Sequence, residues 1–455
     1  MSGGIWKSQN KVLPGAYVNV VSKGQPTVNE TEKGVVFTMT QGLKWGENGV
    51  ITVDARSNFV SLFGVGLDNP VLTALSQILV QAKKAFVYNF NNGDKASAKS
   101  DVLPWTFEAK YAGTRGNDLK VVVMADPSGA GKYNVQTFFG TDTVETQTVA
   151  KASELLANDY FTPTIVSTAQ SDDGISLLSA LTTPVMVTLT GGTDETGSTQ
   201  TDDLIEAIET YDFNVLTAAG QEPTAGVHQL FAQTAIRLRD EQGRKIQAVI
   251  PETPDYSPDH EGVIVVANGV KLKNGTVLTA TNAAAFVAGA TSAAKSNQSL
   301  TYLAYPNAVD AVPRYNEDTQ IEKVNSGVLC FISSRDTVKV LTDINSLLTF
   351  TEEKSKDFSK NRVLRVLDDI ANNTRETWED NFIGKITNDA SGRDLFKADR
   401  ANYLASLQAN GSIENFDPTA DITISVGDTK DSIVATINVQ PTDSMEKLYM
   451  TVTMA

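Results

Sequence analysis

A run of almost uninterrupted apolar residues at 262–267 (GVIVVA) most constrains what this chain can fold into. Such a run is typical of a strand buried on both faces of a parallel sheet. The pattern before it predicts a helix over 227–240 and a strand over 246–251. Strands and helices that alternate in this way predict an α/β layer, in which helices cover a sheet. A helix over 70–83 and a strand over 85–90 are predicted to join the same sheet.

A second region has the pattern of a small antiparallel β domain. Runs rich in β-branched and aromatic residues cover 105–111, 119–124 and 133–139, with Gly, Asn and Asp residues between them. A linker is predicted over 193–200, where Gly, Ser and Thr are frequent. Because strands of the α/β layer are predicted on both sides of this region, we interpret it as an insertion into the α/β domain.

The chain of 455 residues is long enough for about three domains. Its C-terminal part predicts a long helix over 358–383, a second helix over 395–408 and then alternating strands. The predicted fold class is an α/β core domain with a mixed sheet, an inserted small antiparallel β-rich domain, and extended N- and C-terminal strand arms. The predicted segments are an N-terminal arm (1–30), the first part of the α/β domain (31–100), the inserted acidic domain (101–195), the second part of the α/β domain (196–350) and a C-terminal domain (351–455).

Acidic residues are concentrated in and just after the inserted domain. The formal net charge is −16, and residues 141–214 hold thirteen acidic residues and one basic residue. A chain with this charge offers no overall electrostatic support for direct nucleic-acid binding. The calcium-loop spacing Asp-x-Asp-x-Asp-Gly is missing from this stretch, so we interpret it as a solvated surface.

No membrane insertion or secretion is predicted. The longest uncharged stretch, 276–294, is too polar for a membrane span and is interpreted as a small-residue helix packed inside a domain. The first residues lack the apolar core of a signal peptide, so we expect the chain to fold in the cytoplasm.

One segment, 126–133 (DPSGAGKY), superficially resembles a phosphate-binding loop. A phosphate loop needs glycine where Asp126 stands and Ser or Thr where Tyr133 stands. The following residues are strand-like, so no helix N-terminus would receive a phosphate. We interpret the segment as a hairpin turn.

Other reactive side chains do not assemble a catalytic constellation. His228 and His260 have no second His or Cys at ligand spacing, which argues against a metal site. The single cysteine, Cys330, lies in an apolar run and is predicted to be a buried, inert thiol. We therefore predict no enzyme, no cofactor and no metal. Two alternatives remain open from the residues alone, namely an α/β nucleotide-binding enzyme with a degenerate phosphate loop, or a monomeric binding module.

Both ends of the chain carry strand patterns where loose termini are usually polar. Strand-like alternation covers 11–24 in the N-terminal arm and 446–455, which we name the C-terminal arm. We infer strand addition, in which each arm completes a sheet of this subunit or of a neighbour. The residues predicted to pair are Ala16, Tyr17, Val18, Asn19 and Val20 in the first arm and Leu448, Met450, Val452 and Met454 in the second.

Several stretches, in order along nearly the whole chain, resemble contractile tail sheath proteins of myovirus phages, defective prophages and phage-tail-like bacteriocins. The matching stretches are 3–6 (GGIW), 13–19 (LPGAYVN), 109–119 (AKYAGTRGNDL), 338–347 (VKVLTDINSL) and 361–370 (NRVLRVLDDI).

This resemblance implies a structural protein that forms stacked hexameric rings around an inner tube and contracts to drive the tube through a target envelope. It implies arms that pair with the sheets of neighbouring subunits. The implied partners are other copies of the chain, the inner tail tube protein, and the baseplate and tail terminator proteins. The implied location is a virion tail or phage-tail-like particle assembled in the host cytoplasm, with the acidic insertion on its outside.

For the tube-facing surface, we hypothesise a basic cluster at the start of the long predicted helix. It precedes the acids Asp368 and Asp369. The alternative is an ordinary solvated helix face. The cluster consists of Lys354, Lys356, Lys360, Arg362 and Arg365.

Overall fold

The computed structural model describes residues 2–4, 15–17, 33–129, 131–194 and 201–454. Two short strands near the N-terminus, β1 (Ser2–Gly4) and β2 (Gly15–Tyr17), pair in parallel. Of the predicted N-terminal pairing residues, Ala16 and Tyr17 lie in β2. The other three, Val18, Asn19 and Val20, lie outside the described residues.

The α/β domain begins with three strands and two short helices. Asn58 caps the first helix, since its side chain accepts a hydrogen bond from the amide of Ser61 at 3.2 Å. The elements are β3 (Val35–Thr40), β4 (Gly49–Val53), α1 (Phe59–Phe63), α2 (Thr73–Ile78) and β5 (Lys84–Asn89).

The chain then forms a β-sandwich, in which the strands at 119–125 and 133–139 bury alternate residues as the period of two requires. Its elements are β6 (Lys95–Lys99), β7 (Trp105–Ala112), β8 (Leu119–Ala125), β9 (Tyr133–Phe139), β10 (Asp142–Val149), β11 (Phe161–Ile165), α3 (Ile175–Ser179) and β12 (Val185–Thr188). They form two antiparallel sheets with the orders β11-β7-β6 and β10-β9-β8-β12. The fully buried rings of Trp105, Phe107 and Phe161 fill the space between them.

After the sandwich, the chain returns to the α/β domain. Its remaining elements are α4 (Thr201–Thr210), β13 (Val215–Thr217), α5 (Gly226–Asp240), β14 (Gln247–Pro251), β15 (Val263–Val266), β16 (Gly269–Leu272), β17 (Val277–Leu278), α6 (Ala280–Ala293), β18 (Ala308–Val312), α7 (Glu317–Asn325), β19 (Val328–Leu329), β20 (Phe331–Ser334) and β21 (Thr337–Val340).

The central sheet has seven strands in the order β19-β15-β14-β13-β3-β5-β4. Every pairing in it is parallel except that of β4 with β5. Helices α2 and α6 cover one face, and α4 and α5 cover the other. The mixed α/β class is confirmed. The β-sandwich departs after β5 and returns before β13, both strands of this sheet.

The small residues of α6 allow it to pack closely against α2. A Cβ atom at Gly289 would lie 2.3 Å from the carbonyl oxygen of Ile78, which is far inside van der Waals contact. Residues from Ala283 to Ala288 are fully buried. The uncharged stretch predicted to be an internal helix is therefore a helix that packs against both the central sheet and α2.

The C-terminal domain consists of two long helices and two small sheets. The helices are α8 (Asn361–Asn381) and α9 (Ala390–Ala409), and the strands are β22 (Ile413–Glu414), β23 (Ile422–Val426), β24 (Ile433–Ile437) and β25 (Gln440–Pro441). Strand β22 pairs with β25, and β23 pairs with β24. Helix α9 begins earlier than predicted because Asp389 caps it, accepting from the amide of Gly392 at 2.8 Å.

Candidate assembly surface of the C-terminal domain

The C-terminal arm extends from the domain without joining a sheet among the described residues. None of its described residues, 446–454, belongs to a strand, so the predicted strand does not form within the subunit. Four side chains predicted to share one face, Leu448, Met450, Val452 and Met454, are between 72% and 97% exposed. A row of large exposed apolar residues is typical of a surface that another protein covers.

The hairpin β23–β24 offers two open edges in the same domain. Among the described residues, this sheet contains only these two strands. Ile422 is buried against α9, whereas Val426 and Val434 are 59% and 54% exposed. A two-stranded sheet is marginally stable by itself, and its unpaired backbone groups can template a further strand.

The basic cluster predicted to face the tube is only partly on the surface. Lys356 is exposed, and Lys354 binds both carboxylate oxygens of Glu261 at 2.9 Å. Arg362 and Arg365 are buried, with 8% and 6% exposure.

Within the subunit, these two arginines therefore contact residues of their own chain and are not exposed at its surface. Arg362 donates to the hydroxyl of Thr442 at 3.0 Å, and Arg365 reaches Asp343 at 3.4 Å. The sequence could not reveal this burial, because the acceptors come from distant loops. Lys360 forms an ion pair with Glu446 at the base of the C-terminal arm.

The face of α8 opposite to solvent is joined to the α/β domain by polar groups. Asp368 receives two hydrogen bonds from Arg239 of α5, both 2.8 Å long. The neighbouring Asp369 pairs with Lys33. Burial by itself lowers the pKa of Arg239, but the attraction of Asp368 outweighs it and raises the pKa, so the guanidinium stays charged. Sequence reasoning missed this pair, since nothing in the spacing links α5 to α8.

The groups considered for catalysis have structural surroundings. Strands β8 and β9, one on each side of residues 126–132, pair antiparallel, so the predicted hairpin is confirmed. Burial lowers the pKa of His228, whose ring nitrogen lies 3.0 Å from the carbonyl oxygen of Glu222. Burial raises the pKa of the Cys330 thiol to about 11, which leaves it protonated and unreactive.

One group of potential metal ligands is brought together by the fold. Ligand atoms of Asp240, His260 and Glu261 lie within 4.8 Å of one another. However, the carboxylate of Glu261 is already paired with Lys354, and the charge of Arg239 also lowers the pKa of Glu261. Because positive side chains already compensate the carboxylate of Glu261, the group fits an ion-pair network better than a metal site.

The crevice where an α/β sheet usually binds a ligand lies at the carboxyl ends of β3, β5 and β13. Here it has a volume of about 180 Å³ and is lined by residues that include Thr38, Gln41, Gln221 and Asn282. The described lining contains no charged side chain. Such a crevice is poorly suited to the phosphates of a nucleotide.

Among the described residues, no helix has both the length and the apolar character needed to cross a membrane.

Family comparisons cover most of the chain. Residues 91–195 match the model of the phage tail sheath protein beta-sandwich domain, 194–346 match the central domain, and 353–455 match the C-terminal domain. The phage-like element PBSX protein XkdK of Bacillus subtilis is 35% identical over 473 residues, covering 99% of each chain.

Solved structures agree with the family models. The sheath tail protein of Desulfitobacterium hafniense is 34% identical, with a TM-score of 0.76 over 96% of this chain and 99% of its own. The sheath tail protein of Listeria innocua is 31% identical, with a TM-score of 0.78 over 93% of this chain and 95% of its own. The contracted helical sheath of the anti-feeding prophage shares the fold alone, at 12% identity and a TM-score of 0.56 over 98% of this chain and 100% of its own. The chain belongs to the contractile phage tail sheath protein family.

Proposed function

We propose that this protein is the sheath subunit that polymerises as stacked hexameric rings around an inner tube and contracts to drive the tube through a target cell envelope. The observation that carries this proposal is the C-terminal arm, whose apolar side chains and backbone have no partner among the described residues of the chain. A monomeric binding module would pair such a strand within its own fold.

In this proposal, each arm adds a strand to a sheet of a neighbouring subunit. The open hairpin β23–β24 is the acceptor that the C-terminal domain offers, because backbone groups on both of its edges remain available. Each backbone hydrogen bond formed contributes about 0.5–1.5 kcal/mol. Burial of the apolar side chains contributes about 25 cal/mol per Å². Two arms per subunit would link the copies into a continuous mesh.

Because the sheath family is structural and not enzymatic, the chain is not an enzyme. We therefore propose that contraction draws on free energy stored in a metastable extended lattice, which is released as subunits repack against one another. Similar solved structures include the sheaths of the anti-feeding prophage and of an extracellular contractile injection system, both in a contracted state. The contracted state is known for those two proteins, and the similarity of this chain to them supports the proposal that it also contracts.

The sheath belongs to a phage tail or tail-like particle, and we propose assembly in the host cytoplasm. The proposed further partners are the inner tube, baseplate and tail terminator proteins. For the tube we retain Lys354, Lys356 and Lys360 as candidate contacts, because they are at least partly exposed whereas Arg362 and Arg365 are buried. If Lys356→Glu still coats co-expressed tubes as the wild type does, Lys356 is not a tube contact.

Electron microscopy of the negatively stained protein tests the main proposal. The full chain should form rings, tubes or striated sheaths, and the chain lacking 447–455 should remain a folded subunit that forms none. Circular dichroism of the truncated protein provides the control for folding. Global unfolding on truncation would instead show that the arm belongs to the subunit's own fold, and unchanged assembly would show that the arm is not the link.

A further inference from the structure

The chain leading into the C-terminal arm contacts the body of the protein at every second position. Thr442, Ser444 and Glu446 are partly buried, whereas Asp443 and Met445 are exposed. This alternation is that of an extended chain lying with one face on a surface. Beyond Glu446, every described residue is exposed. Glu446 is therefore the last described residue at which the arm touches its own chain.

The contacts of Glu446 are unusually complete for a residue so near a chain end. One carboxylate oxygen accepts from the hydroxyl of Thr301 at 2.7 Å, and the other pairs with Lys360. The Glu446 side chain is only 15% exposed. Thr301 is itself fixed, because its hydroxyl accepts from the amide of Asp343 at 3.0 Å. The anchor thus joins the arm to the loop before α8 and to the α/β domain.

A second attachment lies four residues earlier. The amide of Thr442 donates to the carbonyl of Ser412 at 3.0 Å, and its hydroxyl donates to the carbonyl of Gly411 at 2.6 Å. Arg362, buried in α8, donates to both the carbonyl and the hydroxyl of Thr442. Two attachments along an extended segment fix its direction and its rotation about its own axis.

The contacts of Glu446 with Lys360 and Thr301 are here named the Glu446 anchor. We propose that this anchor determines which way the side chains of the C-terminal arm point. Leu448, Met450, Val452 and Met454 then leave the subunit on the same side as Glu446. The partner that binds these side chains is a second copy of this chain, so this inference rests on the proposed function. Glu446, Lys360 and Thr301 are positioning residues, because they hold the strand that pairs and do not themselves pair. An anchored arm also loses less conformational freedom on binding than a loose one.

Insertions at the junction of Glu446 and Lys447 test the facing directly. One inserted serine turns every later side chain to the opposite face, whereas two inserted serines restore the face at the cost of a small displacement. We expect one serine to abolish assembly by electron microscopy and sedimentation, and two serines to retain much of it. Equal behaviour of the two variants would overturn the inference.

Substitutions of the anchor test its role without changing the length of the arm. Lys360→Met should speed hydrogen exchange of residues 442–447 in the isolated subunit and raise the concentration needed for assembly by about tenfold. The swap of Lys360→Glu with Glu446→Lys should recover part of both effects. Lys273→Met removes an exposed lysine of the β16–β17 turn and serves as the matched control. Unchanged exchange in Lys360→Met would show that Glu446 is not an anchor.

The outcomes separate this inference from the proposed function. If the full chain forms no rings, tubes or striated sheaths, the proposed function fails. If the full chain assembles and deletion of 447–455 leaves assembly intact, the arm is not the link between subunits. If deletion blocks assembly but the two insertions behave alike, the arm is the link and only the anchored facing is wrong.

Discussion

The β-sandwich and the C-terminal domain differ in the size of their sheets and in how much apolar surface they leave exposed. The sandwich closes two antiparallel sheets over buried aromatic rings. The C-terminal domain has two sheets of only two strands each and exposes apolar side chains on a hairpin and an arm. In the proposed function, the first region is complete within the subunit, whereas the second acquires its remaining strands on assembly.

The largest expected effect comes from the core of the sandwich. Trp105→Ala removes a fully buried ring whose indole donates to the carbonyl of Ala152 at 3.0 Å. We expect the free energy of unfolding to fall by about 3–5 kcal/mol. Hydrogen exchange should quicken in β7–β12 and stay slow in α8 and α9. An equal loss of protection in both regions would show one cooperative unit and break the comparison.

A smaller effect on folding, but a large one on assembly, is expected from a charge on the open hairpin. Val434→Lys changes an exposed residue of β24, and Met186→Lys makes the matched change on β12 of the sandwich. Each should alter the free energy of unfolding by less than about 0.5 kcal/mol. Only Val434→Lys should weaken assembly, since a lysine on an open strand obstructs pairing. Equal assembly of the two variants, measured by sedimentation, would remove the hairpin as the acceptor.

The smallest effect concerns pH at the base of the arm. Burial alone raises the pKa of Glu446, but hydrogen bonds from Lys360 and Thr301 outweigh it and hold the pKa below the ordinary value of 4.5. A lowered pKa contributes stability above that ordinary value, and the contribution is lost as the pH falls through the folded-state pKa.

A spin label at Met445→Cys should therefore become more mobile in acid, as the pH falls through the lowered pKa of Glu446. A label at Met186→Cys on the sandwich should show no such transition. Mobility of the first label that does not change with pH would contradict the ion pair between Lys360 and Glu446.

The sequence predicted the α/β class and the sandwich because each depends on a local period. The run that forms β15 and the alternating residues of β8 and β9 contain the signal in themselves. The C-terminal arm was predicted from the same period. However, a period cannot specify which sheet receives a strand, and within the subunit none does among the described residues.

The positions of the basic residues near α8 were less predictable. Arg362 and Arg365 lie in a stretch whose composition is typical of a solvated helix start, yet both are buried. Their hydrogen-bond acceptors, Thr442 and Asp343, come from other parts of the chain. The same holds for Arg239 with Asp368, which are 129 residues apart. Charges that pair across domains leave no trace in local spacing.

The junction of the sandwich with the α/β domain has a practical consequence. The outgoing and returning chains lie side by side, since the amide of Thr193 donates to the carbonyl of Asp94 at 3.1 Å. A Cβ atom at Gly93 would lie only 1.7 Å from the carbonyl oxygen of Thr193, so the two segments are in close contact. A foreign domain with adjacent termini can therefore be grafted at this point with little strain on the central sheet. The junction thus offers an engineering site on each subunit.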